Sequence, residues 1–349
     1  MDSTAPIGST APRFATMDAE PSMLRYGLIG GTPKPSWFAR RWPILLGVVG
    51  AAAAAVVVLT SSGTTTSAPA LRGAEPAGRL RIVNGCDTPL FIASFAGAVP
   101  FKADVKLAGG ASHDFDIPDE GLAATRFWPK WGCDASGAEC KIGGSGGPGQ
   151  SCIAKGCAPP VDSKFEASFG CVLSDAAGCA SNPSDPTQKL GPVDWWDVSQ
   201  VDGWTLPYKV EVHGACDGPK LIDCSSLSLS SCPKHEALGS VGTHSLQVVD
   251  PTDATQVVGC YSPCAKLTYS NWDQGYSFTP EQPAAQDYCC PTPPISAAEC
   301  SKGPVIATEY VRAVHKLCPS VYAYAYDDGV GLAQCPGGTK YEVTFYCPG

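Results

Sequence analysis

The sequence predicts a mainly β, loop-rich domain stapled by disulfides, and three observations carry that expectation. There are 38 glycines and 32 prolines in 349 residues, a density that punctuates short strands and interrupts long helices. Only 16% of residues are charged while 44% are hydrophobic, which suits a folded chain rather than a disordered one. All 18 cysteines lie at or beyond Cys86, so the folded, oxidised part begins near residue 80.

The elements follow in chain order. Residues 42–59, WPILLGVVGAAAAAVVVL, form an 18-residue run without a charge, about 27 Å long as a helix and able to cross a bilayer. Before it stand Arg13, Arg25, Lys34, Arg40 and Arg41 against Asp2, Asp18 and Glu20, so the positive-inside rule places residues 1–41 in the cytosol as a disordered tail. We expect a type II signal-anchor over 42–60; cleavage with secretion and a plastid transit peptide are the alternatives. Residues 61–79 are rich in Ser, Thr, Ala, Pro and Gly and read as a linker. From residue 81 onward there are 17 Lys/Arg against 29 Asp/Glu, which argues against nucleic acid as a partner.

Leu80–Val83 and Lys340–Phe345 are rich in β-branched and aromatic residues and predict strands at the two ends of the domain. In PVIATEYVRAVHKLC, Ile306, Tyr310, Val314 and Leu317 recur at helical spacing after Pro304, predicting one short helix. Cys260-Tyr-Ser-Pro-Cys264 and Cys289-Cys290 have some look of zinc ligands. No second Cys-x-x-Cys knuckle or spaced His pair accompanies them, and an exported, even cysteine set predicts disulfides instead, with no metal and no cofactor. The five histidines show no ligand spacing, and no Ser/His/Asp nucleophile motif or phosphate loop stands out.

The densest chemistry is Asp194-Trp195-Trp196-Asp197-Val198-Ser199-Gln200-Val201-Asp202-Gly203-Trp204. Asp197 and Asp202 are five apart, an odd spacing that puts them on opposite faces of an ideal strand, so a turn must intervene if both line one cleft. Gly203 makes such a deviation cheap. Trp195 and Trp204 suit the core and Trp196 a sugar-stacking face, with both roles open for each ring.

RIVNGCDTPLFIASF, DWWDVSQVDGWTLP, QDYCC, EYVRAVHKLCPSVYAYAYDD and CPGGTKYEVTFYCPG occur in that order, and together they resemble the thaumatin-like protein family from about Leu80 to the C-terminus. The resemblance implies a flattened β-sandwich with two disulfide-rich lobes, the larger spanning about 216–320, in a monomeric ectodomain. It implies the pairs Cys86–Cys347, Cys133–Cys140, Cys216–Cys335, Cys224–Cys318, Cys232–Cys260, Cys264–Cys289 and Cys290–Cys300. The family's CxTGDCGG signature is altered here, with Ser145 at its cysteine and Gly144 at its aspartate, so Cys152 loses its usual partner. We expect Cys152–Cys157 as a substitute, and Cys171–Cys179 closing an insertion.

The family's acidic cleft carries an Arg, a Glu and three Asp. Their matches here are Arg126, Glu166, Asp197, Asp202 and either Asp327 or Asp328. The resemblance implies a β-1,3-glucan ligand, with weak endo-glucanase activity in some members and only binding or antifungal action in others. Hydrolysis needs a carboxylic acid and a second carboxylate about 5–5.5 Å or about 6.5–9.5 Å apart. Clustered acids push one another's pKa apart; the expected acid is Glu166, with Asp197 or Asp202 as base or nucleophile. A polar binding trough without turnover, and a defence effector acting on membranes or a protein partner, are the other expectations.

Overall fold

The computed structural model describes residues 75–97, 99–146 and 151–348. The tail 1–41, the 42–60 span and most of the 61–79 linker lie outside the described residues; among those described, no helix is long and apolar enough to cross a membrane.

Along the chain come β1 (Leu80–Asn84), β2 (Leu90–Ala96), β3 (Val99–Pro100), β4 (Val105–Leu107), β5 (Ser112–Phe115), β6 (Leu122–Trp131) and β7 (Lys164–Phe169). The short pair β8 (Ser181–Asn182) and β9 (Asp185–Lys189) precedes β10 (Val193–Ser199), β11 (Gly203–Trp204), β12 (Tyr208–His213) and β13 (Leu221–Asp223). Then follow β14 (Glu236–Ala237), β15 (Thr243–His244), β16 (Gln247–Asp250) and β17 (Asp253–Tyr261). The helices α1 (Pro263–Thr268), α2 (Gln286–Cys289), α3 (Ala297–Cys300), α4 (Glu309–Leu317) and α5 (Asp328–Gly331) come next, before β18 (Ala333–Pro336) and β19 (Lys340–Phe345).

Two sheets make the sandwich: β13-β12-β19-β1-β5, and β18-β10-β7-β6-β2-β3 with β4 also paired to β2. Strand alternation sends every second side chain between them. Tyr341 of β19 meets Trp196 of β10 at a ring-centroid distance of 5.3 Å and Phe165 of β7 at 5.7 Å. Phe115 of β5 meets Phe127 of β6 at 4.9 Å. Each ring so buried stabilises the fold by roughly 1.5–3 kcal/mol. The predicted end strands pair in parallel, Leu80 to Tyr341 through Asn84 to Phe345, and Cys86–Cys347 joins their ends.

Residues 216–320 hold β14–β17, α1–α4 and the bridges Cys224–Cys318, Cys232–Cys260, Cys264–Cys289 and Cys290–Cys300. Cys216–Cys335 ties the start of this lobe to β18. Smaller excursions are closed by Cys133–Cys140, Cys152–Cys157 and Cys171–Cys179. The structure thus joins the seven pairs that the family resemblance implies and the two assigned to the leftover cysteines.

The helix expected after Pro304 begins later than its apolar spacing suggested. Pro304–Ala307 form a separate 3-10 turn, and the α-helix starts at Glu309, where the Thr308 side chain accepts a hydrogen bond from the Val311 N–H. Tyr310, Val311 and Val314 are buried, whereas Ile306, on the preceding turn, is exposed. The other helices, at four to six residues each, are too short to leave a periodic trace in sequence.

Candidate functional site

β6, β7 and β10 are neighbours, and their register sets Arg126 opposite Glu166 and Glu166 opposite Asp197. Direct cross-strand partners have Cβ atoms about 4.5–5.5 Å apart, so one row crosses three strands. Phe127, Phe165 and Trp196 point inward and are fully buried; by alternation Arg126, Glu166 and Asp197 stand on the outer face. The Arg126 guanidinium lies 5.1 Å above the Phe95 ring. Lys164, two residues before Glu166, shares that face and forms an ion pair with Asp202.

Asp202 reaches the site because the strand stops. β10 ends at Ser199, a turn follows, and Gly203 takes φ +145 with a Cβ position that would fall 2.0 Å from the Cys260 carbonyl oxygen. Only glycine fits there. The Asp202 carbonyl accepts from the Ser262 N–H at 3.0 Å, which fixes the turn against the larger lobe and resolves the odd spacing.

Tyr322 lies next to both candidates for the fifth acid. Its backbone bridges to β10, with Tyr322 N donating to Val198 O at 3.0 Å and Gln200 N donating to Tyr322 O at 2.8 Å. Its phenol donates to Asp328 Oδ1 at 3.0 Å. Burial raises the phenol's pKa, and the nearby charges of Asp197, Asp327 and Glu166 add to that. Asp328 is thus held by the same phenol that feels the charges of Asp197 and Glu166. Asp327 instead accepts from the Ala323 N–H at 3.0 Å and bonds His315 Nε2 at 2.7 Å, an anchor between α4 and the turn before α5.

Asp197 is fully buried and neither carboxylate oxygen has a hydrogen-bond partner. Burial pushes its pKa well above the usual carboxylate range, the charge of Glu166 pushes the same way, and Lys164 opposes both. Its buried, unpartnered carboxyl thus favours the neutral form. Glu166 is 3% exposed and Asp197 0%, whereas Arg126, Asp202 and Asp328 are partly exposed. Tyr269 approaches from the larger lobe: burial raises its pKa, with a further push from Asp202. Among the described residues no group of three or more His, Cys, Asp or Glu is placed to hold a metal ion, and every cysteine is in a disulfide.

Trp196 does not line the site. Its ring is 0% exposed and its indole N–H meets Cys335 Sγ at 3.1 Å, because even-numbered residues of β10 face the core. Trp195 takes the outer face and is 37% exposed. Sequence reasoning missed Lys164, Tyr269, Tyr322 and Trp195. Strand parity with Glu166 gave a signal for Lys164; nothing local marked the two tyrosines.

The Thaumatin family model matches residues 84–348. The chain belongs to the thaumatin family. Its relatives in that family include thaumatin-like protein 2 of Prunus persica, 29% identical over 79% of this chain and 93% of its own length. A Prunus avium protein called glucan endo-1,3-beta-glucosidase is 31% identical over 70% of this chain and 78% of its own. Pathogenesis-related protein 5 of Arabidopsis thaliana is 29% identical over 76% and 88%. Within that thaumatin-family frame, the outer face of the β6-β7-β10 region carries the in-register row Arg126, Glu166 and Asp197.

Proposed function

We propose that this thaumatin-family protein binds a β-1,3-glucan-type polysaccharide in the acidic trough, without appreciable turnover, while tethered to a membrane by residues 42–60. The observation that carries the reading is the in-register row Arg126, Glu166, Asp197 with its two carboxyls buried. Buried carboxyls shape and orient a trough, whereas a glycosidic acid must touch the leaving oxygen. Arg126, Asp202 and Asp328 supply both donors and acceptors for sugar hydroxyls. The net negative charge of the region beyond residue 81 fits a neutral ligand.

A second reading, slow endo-β-1,3-glucan hydrolysis, is favoured by the Prunus avium relative's name and by the raised pKa of the buried Asp197 beside Glu166. There Asp197 would give its proton to the leaving oxygen and Glu166 or Asp202 would act on the opposite side. The pathogenesis-related relative supports a role in defence, and a carbohydrate-binding surface displayed outside the cell is consistent with it.

One experiment separates these readings. The full chain in detergent is mixed with insoluble β-1,3-glucan, and sedimented protein and released reducing ends are measured in the same tube. Sedimentation without release is the expected result; release that disappears in Asp197→Asn establishes hydrolysis, and absence of sedimentation refutes glucan binding. Retention of the chain in membranes through an alkaline carbonate wash, lost on deleting 42–60, checks the tether.

A further inference from the structure

Six tryptophans lie among the described residues, and five of them donate their indole N–H to another residue. Trp128 donates to Gly143 O, Trp131 to Thr88 Oγ1, Trp196 to Cys335 Sγ, Trp204 to Ser228 O and Trp272 to Gly156 O. Trp195 makes no such bond among the described residues, and it keeps 37% of its surface exposed. Buried indoles find partners as a rule; a partly exposed indole without an N–H partner is an amphipathic surface that suits an amphipathic ligand.

Its place sharpens the point. Trp195 is flanked in register by Ser168 of β7 and Gln334 of β18. It shares the outer face of β10 with Asp197, two residues on and about 6.6–6.8 Å along the strand. Asp197 is itself a fully buried carboxyl with both oxygens unpartnered. The ring thus stands at one margin of the acidic trough, beside Asp197.

We infer that Trp195 is the stacking platform of a sugar subsite in the trough, selecting a gluco-configured, β-linked glycan; the inference rests on the polysaccharide reading above. A pyranose whose ring substituents are all equatorial shows only C–H bonds on both faces, and either face can lie on an indole while the rim hydroxyls reach the free N–H and the polar groups alongside. An axial hydroxyl at C2, as in a mannose chain, puts oxygen on one of those faces. The trough therefore discriminates by ring stereochemistry as well as by hydroxyl pairing.

The test is calorimetric titration of the full chain in detergent, and of its Trp195→Ala and Trp195→Phe variants, with a β-1,3-linked glucose hexamer and a β-1,4-linked mannose hexamer. We expect wild type to prefer the glucose hexamer, Trp195→Ala to weaken it about tenfold or more, and Trp195→Phe to stay within about threefold. Melting temperature should hold in both variants because the ring is half-exposed. Wild-type tryptophan emission should move to shorter wavelength on binding, a shift absent in Trp195→Phe. Alanine and wild-type proteins binding the glucose hexamer equally would overturn the platform and leave the trough reading intact. A folded Trp195→Phe no better than alanine would also overturn it. Wild type binding neither the hexamer nor insoluble glucan would overturn both.

Discussion

Two aspartates on β10, three residues apart, are both fully buried and have opposite surroundings. Asp194 faces the sandwich interior, where Arg79 donates to Oδ1 at 2.6 Å, the Gly170 N–H to the same oxygen at 2.7 Å and the Tyr341 hydroxyl to Oδ2 at 3.2 Å. Asp197 faces the opposite side beside Glu166 and has no hydrogen bond at either oxygen. A buried charge persists only when its partners replace water. Burial raises the pKa of both, but at Asp194 the charge of Arg79 and the hydrogen bonds from Gly170 and Tyr341 oppose it, whereas at Asp197 the charge of Glu166 adds to it; Asp194 therefore reads as architecture. The difference teaches that burial alone does not tell a structural acid from a site acid, whereas the completeness of its hydrogen bonding does.

That contrast is open to test at four positions. The largest effect belongs to Asp194→Ala, which strands the buried Arg79 guanidinium and should cost about 3–5 kcal/mol in denaturant unfolding. A smaller loss than at Asp197 would break the contrast. Asp162 extends it: this residue is buried, bonds Ser145 Oγ at 2.6 Å, has its other oxygen unpartnered, and has its pKa pushed by burial from 3.8 up to about 6. Its folded state prefers the protonated acid, so its stabilising share is present at low pH and is lost as pH rises through about 4 to about 6. At roughly 1.4 kcal/mol per pKa unit this reaches on the order of 3 kcal/mol. Asp162→Asn should flatten that part of the stability profile; an unchanged slope from pH 4 to pH 7 would show the carboxyl to be paired.

Lys164→Met removes the partner of Asp202, whose side chain is 33% exposed, so about 1 kcal/mol or less is at stake in thermal unfolding. The same change removes the cation opposing Asp197's protonation, and the Asp197 carboxyl resonance should titrate at still higher pH. Smallest of all, Asp197→Asn replaces a carboxyl whose pKa burial raises by a neutral isostere and loses no hydrogen bond. We expect a change within about 0.5 kcal/mol at pH 5, and a variant at least as stable as wild type at pH 8. A loss of several kcal/mol would make Asp197 as structural as Asp194.

The sequence made the end strands legible because Leu80–Val83 and Lys340–Phe345 carry the β-branched and aromatic pattern that a half-buried strand needs. It made the cysteine pairs legible through the family resemblance, with Cys152–Cys157 and Cys171–Cys179 following from what was left over. Strand parity was not legible. Asp194-Trp195-Trp196-Asp197 has an acid and a tryptophan on each face, so period-two reading cannot say which pair turns inward, and Trp196 was placed on the wrong side. Ionic satisfaction was hidden for a related reason: Arg79 and Tyr341 stand 115 and 147 residues from Asp194. Tyr322 likewise comes to β10 from a distant segment. What the sequence encodes only through tertiary register, it does not display locally.

Cys86–Cys347 spans 261 positions and makes one covalent ring of nearly the whole described domain. A protease that cuts once anywhere between those two cysteines opens the ring without releasing a piece. The nicked protein would migrate as a single species until a reductant is added, and a single cleavage there would shed no fragment.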